Sequence, residues 1–158
     1  MGEMKSQVKN FNDKLNGKIN SVKDQLIISI KNSCELVRST SLDDMKNTQR
    51  NPNVAYYTYN KNIPHHPSLP GNAPAPDSGN LRASVHYTME ESDSSIVGRV
   101  GTDVDYGRML ELGTSRIAPR PWLKPSLDKN KNQIERLIQQ ALKKGLQKWL
   151  MLKKFIMK

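Results

Sequence analysis

The chain has 158 residues, 35% of them apolar, and a formal net charge of +10. This length suits one domain, and the mean hydropathy of −0.71 is low for a compact globule, so we expect part of the surface to be exposed or buried only against partners. The sequence has no run of about twenty apolar residues and no charged-then-apolar leader, so we expect neither a membrane span nor a signal peptide. Synthesis in the cytoplasm is therefore expected. Cys34 is the only cysteine, which excludes an intramolecular disulfide and a zinc site closed by cysteines.

The first predicted element is a long amphipathic helix over residues 4–38. At about 1.5 Å per residue it would extend roughly 50 Å, more than a domain of this size needs to cover its own sheet. We therefore expect part of it to pack on a neighbouring molecule, although an ordinary core helix is the alternative. Gly17 is predicted to mark a bend. The helix is indicated by apolar residues that recur at threes and fours, namely Val8, Phe11, Leu15, Ile19, Val22, Leu26, Ile30 and Val37.

Residues 51–76 hold six of the nine prolines and predict a long loop. A loop of this kind either docks on a partner, with Tyr56, Tyr57 and Tyr59 as anchors, or is disordered in the free protein. His65 and His66 are adjacent residues that cannot both face one ion without further ligands, and no carboxylate is expected nearby. We therefore predict no metal site at this pair.

Residues 80–126 are predicted to form a β-hairpin, a short helix and a proline-rich arm. A turn signal at 77–79 precedes two stretches in which apolar and polar residues alternate, and this period of two is typical of half-buried strands. A lone hairpin would be marginal, so we expect at least one further strand and both long helices packed on one face of the sheet. The alternating apolar residues are Val85, Tyr87 and Met89, then Ile96, Val100 and Val104.

The short helix is predicted to begin at Tyr106 and to end at Gly113 as a glycine C-cap. Asp103 or Asp105 is expected to cap its start. Prolines 119, 121 and 125 then predict an extended arm that holds Trp122 and Leu123.

A basic C-terminal helix is predicted over residues 126–158, beginning near Pro125 or Ser126. Residues 127–158 carry nine Lys/Arg and two Asp/Glu, a net +7. Gly145 is expected to divide the helix into a part that packs on the sheet and a separate amphipathic arm. Basic amphipathic helices of this kind are also typical of membrane-surface and calmodulin-target segments. The elements together predict an α+β fold with a small antiparallel sheet packed against a long N-terminal and a C-terminal helix, in one domain over residues 1–158.

The residues give little support for catalysis. No Gly-rich phosphate loop and no plausible nucleophile set is present, so we predict no enzyme activity, no catalytic residue and no cofactor. Glu111 is the one carboxylate of interest. Two roles stay open for it: an interface anchor paired with Arg82, Arg116 or Arg120, or an intrachain bond to an arginine or a loop amide.

Three stretches taken together resemble a known family. They are Asp-Ser-Gly-Asn-Leu-Arg-Ala-Ser-Val (77–85), Tyr-Gly-Arg-Met-Leu-Glu-Leu-Gly-Thr (106–114) and Pro-Arg-Pro-Trp-Leu-Lys-Pro-Ser-Leu (119–127). Their order and spacing resemble the head-tail joining, or tail-completion, family of long-tailed bacteriophages. The departures from the family pattern are Ser78 for threonine, Gly107 for alanine, Trp122 for phenylalanine and Ser126 for alanine.

The resemblance implies a structural virion protein of the phage neck, made in the host cytoplasm and assembled as a homo-oligomeric ring. Its partners would be adjoining head-completion or connector proteins and tail terminator or tail tube proteins, with no membrane partner and at most transient, non-specific contact with genomic DNA. The C-terminal segment 143–158 is expected to dock on a neighbouring subunit or ring, so truncation after Leu142 should leave a folded domain that assembles poorly. The interface residues expected from these considerations are Tyr106, Glu111, Gly113, Thr114, Arg120, Trp122, Leu123, Trp149 and Phe155.

A nucleic-acid-binding protein acting through the basic C-terminal helix is the alternative function. The charge is not interleaved with aromatic residues, and no helix-turn-helix or zinc pattern is present, which disfavours it. A membrane-active tail on an inert domain is a third possibility.

Overall fold

The computed structural model describes residues 2–57 and 64–156, with side chains described for 3–55 and 64–147. The fold mixes helices and antiparallel strands, as predicted. Tyr59 lies outside the described residues, and the side chains of Tyr56, Tyr57, Trp149 and Phe155 lie outside those described. The elements in chain order are α1 (Gly2–Asn47), β1 (Tyr56–Tyr57), β2 (Pro64–His65), α2 (Asn80–Ser84), β3 (Val85–Glu91), β4 (Ile96–Thr102), α3 (Asp105–Leu112) and α4 (Lys124–Ile156).

The chain divides into two compact units. Unit 1 comprises Met1–Ser33, Glu91–Val97 and Asn132–Lys158, and unit 2 comprises Cys34–Glu90 and Gly98–Lys131. Each unit therefore contains a part of α1, a part of the hairpin and a part of α4. The single domain inferred from the sequence stays a prediction.

Helix α1 extends nine residues beyond the predicted end at residue 38 and continues through Gly17. The Ser-Thr-Ser run 39–41 is unfavourable for a helix interior because hydroxyl groups compete for backbone bonds. Here the hydroxyl groups of Ser39 and Thr40 instead donate to the Leu36 carbonyl at 3.0 and 2.9 Å, which is compatible with helix. The apolar stripe also continues beyond this run through Leu42 and Met45.

The apolar core of unit 2 is formed by residues far apart in the sequence. Met45 of α1, Leu81 of α2, Val85 of β3 and Trp122 are each less than 10% exposed and form one cluster. This core holds α2, the base of the hairpin and α3 against the end of α1. The partly buried residues packed around it are Leu42, Ala73, Val100, Val104, Leu110 and Leu123.

Polar contacts join α1 to the start of α4 inside unit 2. Lys129 lies 2.7 Å from the Asp44 carboxylate, and the Asn130 amide donates to the Thr40 hydroxyl at 2.9 Å. The higher α4 number meets the lower α1 number, so these two segments run antiparallel.

In unit 1 the two helices approach closely at Gly145. A Cβ built there would lie 2.7 Å from the Val22 Cα, and the Ser21 hydroxyl donates to the Gly145 carbonyl at 3.2 Å. Helix α4 is continuous through this residue. The prediction that Gly145 divides the C-terminal helix is therefore wrong, because the missing side chain serves helix packing.

The hairpin is confirmed, but the further strand is not. Within the described ranges β3 pairs only with β4, and β1 and β2 form a separate ribbon in which Tyr56 lies opposite His65. The reversal between β3 and β4 is closed by Ser92 and Ser95, whose backbone N–H and carbonyl groups bond at 2.9 Å. In place of a third strand, Arg38 of α1 donates to the Val85 carbonyl at 2.9 Å.

None of the helices in the described residues combines the length and hydropathy that crossing a bilayer requires.

Candidate functional site at the proline-rich arm

The proline-rich arm, residues 113–123, leaves α3 through a glycine turn. Gly113 has φ 74° and ψ 177°, and its N–H donates to the Met109 carbonyl at 2.9 Å. This backbone conformation is costly for a residue with a Cβ, which would also lie 2.9 Å from the Ile117 carbonyl oxygen. The Thr114 N–H donates to the same carbonyl at 2.8 Å. The predicted glycine C-cap is therefore confirmed.

The start of α3 differs from the prediction. Val104 occupies the N-cap position, and no side chain caps the helix. Asp105 is the first helical residue, so neither Asp103 nor Asp105 acts as the expected cap. The Thr102 hydroxyl instead accepts the Val104 N–H at 3.3 Å.

Glu111 binds the end of the arm. Its Oε2 accepts the backbone N–H groups of Trp122 and Leu123 at 2.7 and 2.9 Å, and its Oε1 accepts that of Lys124 at 2.9 Å. N–H groups at a helix start have no intrahelical partner, and a carboxylate there interacts favourably with the helix dipole. Glu111 therefore bonds loop amides, one of the two roles left open by the sequence.

None of the three arginines considered as partners of Glu111, namely Arg82, Arg116 and Arg120, forms an ion pair with it in the described residues. Arg120 donates from Nε to the Ser68 carbonyl at 3.1 Å, and its backbone N–H donates to the Leu110 carbonyl at 2.6 Å. The first bond holds the arm against the loop that precedes α2, and the second holds it against α3.

Trp122 fills the space between the arm and α3. Its side chain is 3% exposed, and Nε1 donates to the Gly107 carbonyl at 3.0 Å. Gly107 is itself buried, and a Cβ there would overlap the Thr102 methyl group and lie 3.2 Å from Leu81 Cδ1. The sequence did not single out Gly107 and Leu81 as site residues, because their importance comes from contacts across the fold.

The turn before α2 completes the cluster. Gly79 at its N-cap has φ 85°, which lets the chain reverse into the helix that carries Leu81. The 77–85, 106–114 and 119–127 stretches thus meet around Leu81, Gly107, Glu111 and Trp122.

The predicted interface residues differ in their exposure. Tyr106 and Thr114 are exposed, whereas Glu111, Gly113, Arg120 and Leu123 are half-buried and Trp122 is buried. Trp122 is therefore a core residue of this chain. The structure adds Met109 and Leu112, which are 48% and 66% exposed and lie near Tyr106 on α3 at a helical spacing of three.

Other titratable groups lie away from this cluster. A hydrogen bond and the charge of Arg99 lower the pKa of Glu90 on the hairpin, and burial raises the pKa of the Cys34 thiol. A protonated thiol is a poor nucleophile. His65 Nδ1 lies 3.3 Å from the Asp77 carboxylate, so the expectation that no carboxylate is near these histidines is wrong in space. Among the described residues no group of three or more possible metal ligands is assembled.

In comparisons with known proteins, no family model, no curated protein and no solved structure matches the chain.

Proposed function

We propose that the protein is a structural subunit of the neck of a long-tailed bacteriophage, where it completes the tail and joins it to the DNA-filled head. In this proposal it has no enzymatic activity and resides in the virion. Its partners are copies of itself, head-completion or connector proteins, and tail terminator or tail tube proteins.

One observation carries the proposal. Twenty residues separate the first two of the three stretches on which the family resemblance rests, yet all three form a single cluster around Trp122. Glu111 binds the third stretch to the second, and Leu81 packs the first against Trp122 and against the position of Gly107. Stretches that resemble a family in order and also interlock in space support a shared architecture more strongly than separate motifs would.

The cluster is suited to a structural role, in which it fixes the position of the arm and of α3. Its polar groups bond backbone amides and carbonyls and so define the course of the arm, while Tyr106, Met109 and Leu112 remain exposed on α3. Exposed aromatic and methionine side chains are typical of protein interfaces. A protein that surrounds a DNA passage assembles most simply through heterologous contacts that close into a ring.

Loss of the gene tests this function. A phage that lacks it should accumulate filled heads and separate tails, seen by electron microscopy of lysates, and infectivity should return when the wild-type chain is supplied in trans. Supplying the Ile28→Glu variant, which changes an exposed side chain away from the cluster, should restore infectivity equally. Normal virions from the deletion would refute the proposal.

Duplex binding by unit 1 is the second candidate function. Its segments carry thirteen Lys/Arg and six Asp/Glu, a net +7, and Lys143 and Lys144 are exposed. Binding of this kind weakens steeply with salt because counterions are released from DNA. Tight, steeply salt-dependent duplex binding that truncation of α4 abolishes would favour this function over the neck.

A further inference from the structure

Helix α1 leaves a row of large apolar side chains uncovered in unit 1. We call this row, formed by Met4, Val8, Phe11, Leu15 and Ile19, the α1 stripe. Their exposed fractions are 73%, 55%, 65%, 43% and 53% in that order. The same helix face is buried further along, where Val37 is 4% exposed. A contiguous apolar row of this length on a helix is typical of an interaction surface.

The stripe continues into a groove. Leu15 and Ile19 form one end of a groove of about 520 Å³. The rest of its lining comes from the hairpin turn 92–96 and from α1, namely Lys18, Val22, Lys23, Leu26 and Ile30. Pockets that receive a large side chain are the usual centre of a protein interface. The stripe thus offers both a flat contact and a recess.

Helix α3 of unit 2 presents a second exposed apolar surface. We call Tyr106, Met109 and Leu112 the α3 face, and they are 41%, 48% and 66% exposed. With eight residues, α3 is about 12 Å long, so it matches the part of the stripe between Phe11 and Ile19, which is also about 12 Å.

The charges around the two surfaces are opposite. The exposed charges beside the α3 face are Asp103 and Asp105 against Arg108, a net −1, whereas the Glu111 carboxylate is bonded to the backbone of its own arm. The Asp103 side chain is 85% exposed, and its Oδ2 lies 3.6 Å from His86 Nδ1. Residues 3–20 have a net +2, from Lys5, Lys9, Lys14 and Lys18 against Glu3 and Asp13. Pairing two stripes would bring like charges together, whereas pairing a stripe with an α3 face brings opposite charges together.

We infer that the α1 stripe of one copy binds the α3 face of a second copy, with an α3 side chain entering the groove beside Leu15 and Ile19. The inference rests on the proposed ring and identifies its subunit contact. Because the two surfaces are different, the contact is heterologous, and each copy keeps one surface of each kind for the next neighbour. A single short helix buries little area, so the isolated contact is weak and closure of a ring adds to its stability.

Sedimentation of two variants of the full chain, alone and mixed, tests this contact. Phe11→Glu places a charge in the stripe and Met109→Glu places one in the α3 face, both at exposed positions in helices. We expect wild type to associate with rising concentration, and each variant alone to lose about tenfold or more in affinity. An equimolar mixture should form a 1:1 heterodimer and nothing larger, because one intact surface of each kind remains.

Matched controls are Ile28→Glu on α1 and Leu127→Glu on α4, which are 52% and 48% exposed and lie outside both surfaces. Both should associate as wild type does, and all variants should keep the wild-type circular dichroism. Association of Met109→Glu alone at wild-type strength would overturn the inference in favour of a stripe-to-stripe dimer. Wild type that stays monomeric but binds anionic vesicles, with binding lost in Phe11→Glu, would overturn it in favour of a membrane surface.

The contact and the proposed function fail separately. A monomeric wild-type chain would overturn the contact, while the deletion phenotype would still decide the function. Normal virions from the deletion would refute the function, even if the two variants formed the expected heterodimer.

Discussion

At the scale of single residues, Glu111 and Gly107 determine where the arm lies. Glu111 accepts hydrogen bonds from the backbone N–H groups of three successive residues. Gly107 has no side chain, so Thr102 and Leu81 pack against its backbone, and its carbonyl accepts a hydrogen bond from the Trp122 indole N–H. One residue supplies acceptors and the other supplies space. Both effects can be removed one at a time.

Replacing Glu111 with glutamine should lower the free energy of unfolding by about 1–3 kcal/mol. Glutamine keeps one oxygen but turns an amide NH₂ group towards a backbone N–H, so at least one of the bonds is lost. Urea denaturation at neutral pH measures the change. Glu91→Gln, at an exposed position on the hairpin, is the control and should change stability little. Equal unfolding midpoints for Glu111→Gln and wild type would contradict the proposed anchoring.

Replacing Gly107 with alanine should destabilise the fold by about 1–3 kcal/mol, because the added Cβ overpacks against the Thr102 methyl group. Thr102 cannot simply rotate, since its hydroxyl lies 2.5 Å from that of Ser84. The double variant Gly107→Ala/Thr102→Ser removes the methyl group, keeps the hydroxyl, and should recover much of the loss in thermal denaturation. Gly101→Ala, where a Cβ meets nothing within 4 Å, is the control for a second glycine. No recovery in the double variant would show that the Thr102 methyl is not the obstacle.

At the scale of elements, small residues let α1 and α4 approach one another. In unit 1 the contact is Gly145 on Val22, and in unit 2 the buried Ser126 and Asn130 face Asp44 and Thr40. Short side chains bring the backbones close, and the hydroxyl and amide groups find partners across the contact. Helix contacts of this kind are sensitive to added volume.

Alanine substitutions at two helical glycines should therefore change the free energy of unfolding in opposite directions. Gly145→Ala should destabilise the chain by about 1–3 kcal/mol, since the obstructing atom belongs to the backbone of α1. Gly17→Ala should stabilise it by about 1 kcal/mol, because a Cβ there meets nothing within 4 Å and alanine favours helix. The unfolding midpoints of both variants measure this difference. Stabilisation by both would show that α1 and α4 do not approach closely.

At the scale of the whole molecule, basic charge and exposed apolar surface occur together in unit 1. Its segments have a net charge of +7, and the α1 stripe belongs to it. Like charges repel, so an acidic counter-surface would stabilise this unit. DNA offers no pocket for the stripe, which favours a protein surface.

Truncation after Gln147 should leave the fold intact and weaken assembly. The cut keeps Gly145 and its contact with Val22, which the predicted cut after Leu142 would remove. It deletes Lys148, Lys153, Lys154 and Lys158 together with Trp149 and Phe155. Circular dichroism should show retained helix, and complementation of the gene deletion should fall. The full-length variant Trp149→Ala/Phe155→Ala keeps the lysines, so it separates the effect of the apolar side chains from that of the charge. Undiminished complementation by the truncated chain would show that the segment is dispensable.

Local pattern in the sequence was sufficient for the elements that depend on neighbours in the chain. The hairpin period, the Gly113 cap and the start of α4 within two residues of Pro125 could all be predicted because dihedral preferences and side-chain spacing act over one or two turns. The C-terminal extension of α1 was missed because its hydroxyl groups bond within the helix and Met45 is held by a core assembled from afar.

Only the tertiary structure decided what the special residues do. Gly145 and Gly107 are ordinary helix breakers by propensity, but each one admits a neighbour that is distant in sequence. Glu111 had two roles until the fold placed three amides within reach of it. The third strand was expected because a hairpin needs cover, and helix α1 and Trp122 supply that cover instead. The reason is the same in each case: close packing and hydrogen-bond partnership depend on which segments meet in space, and a period along the chain does not contain that information.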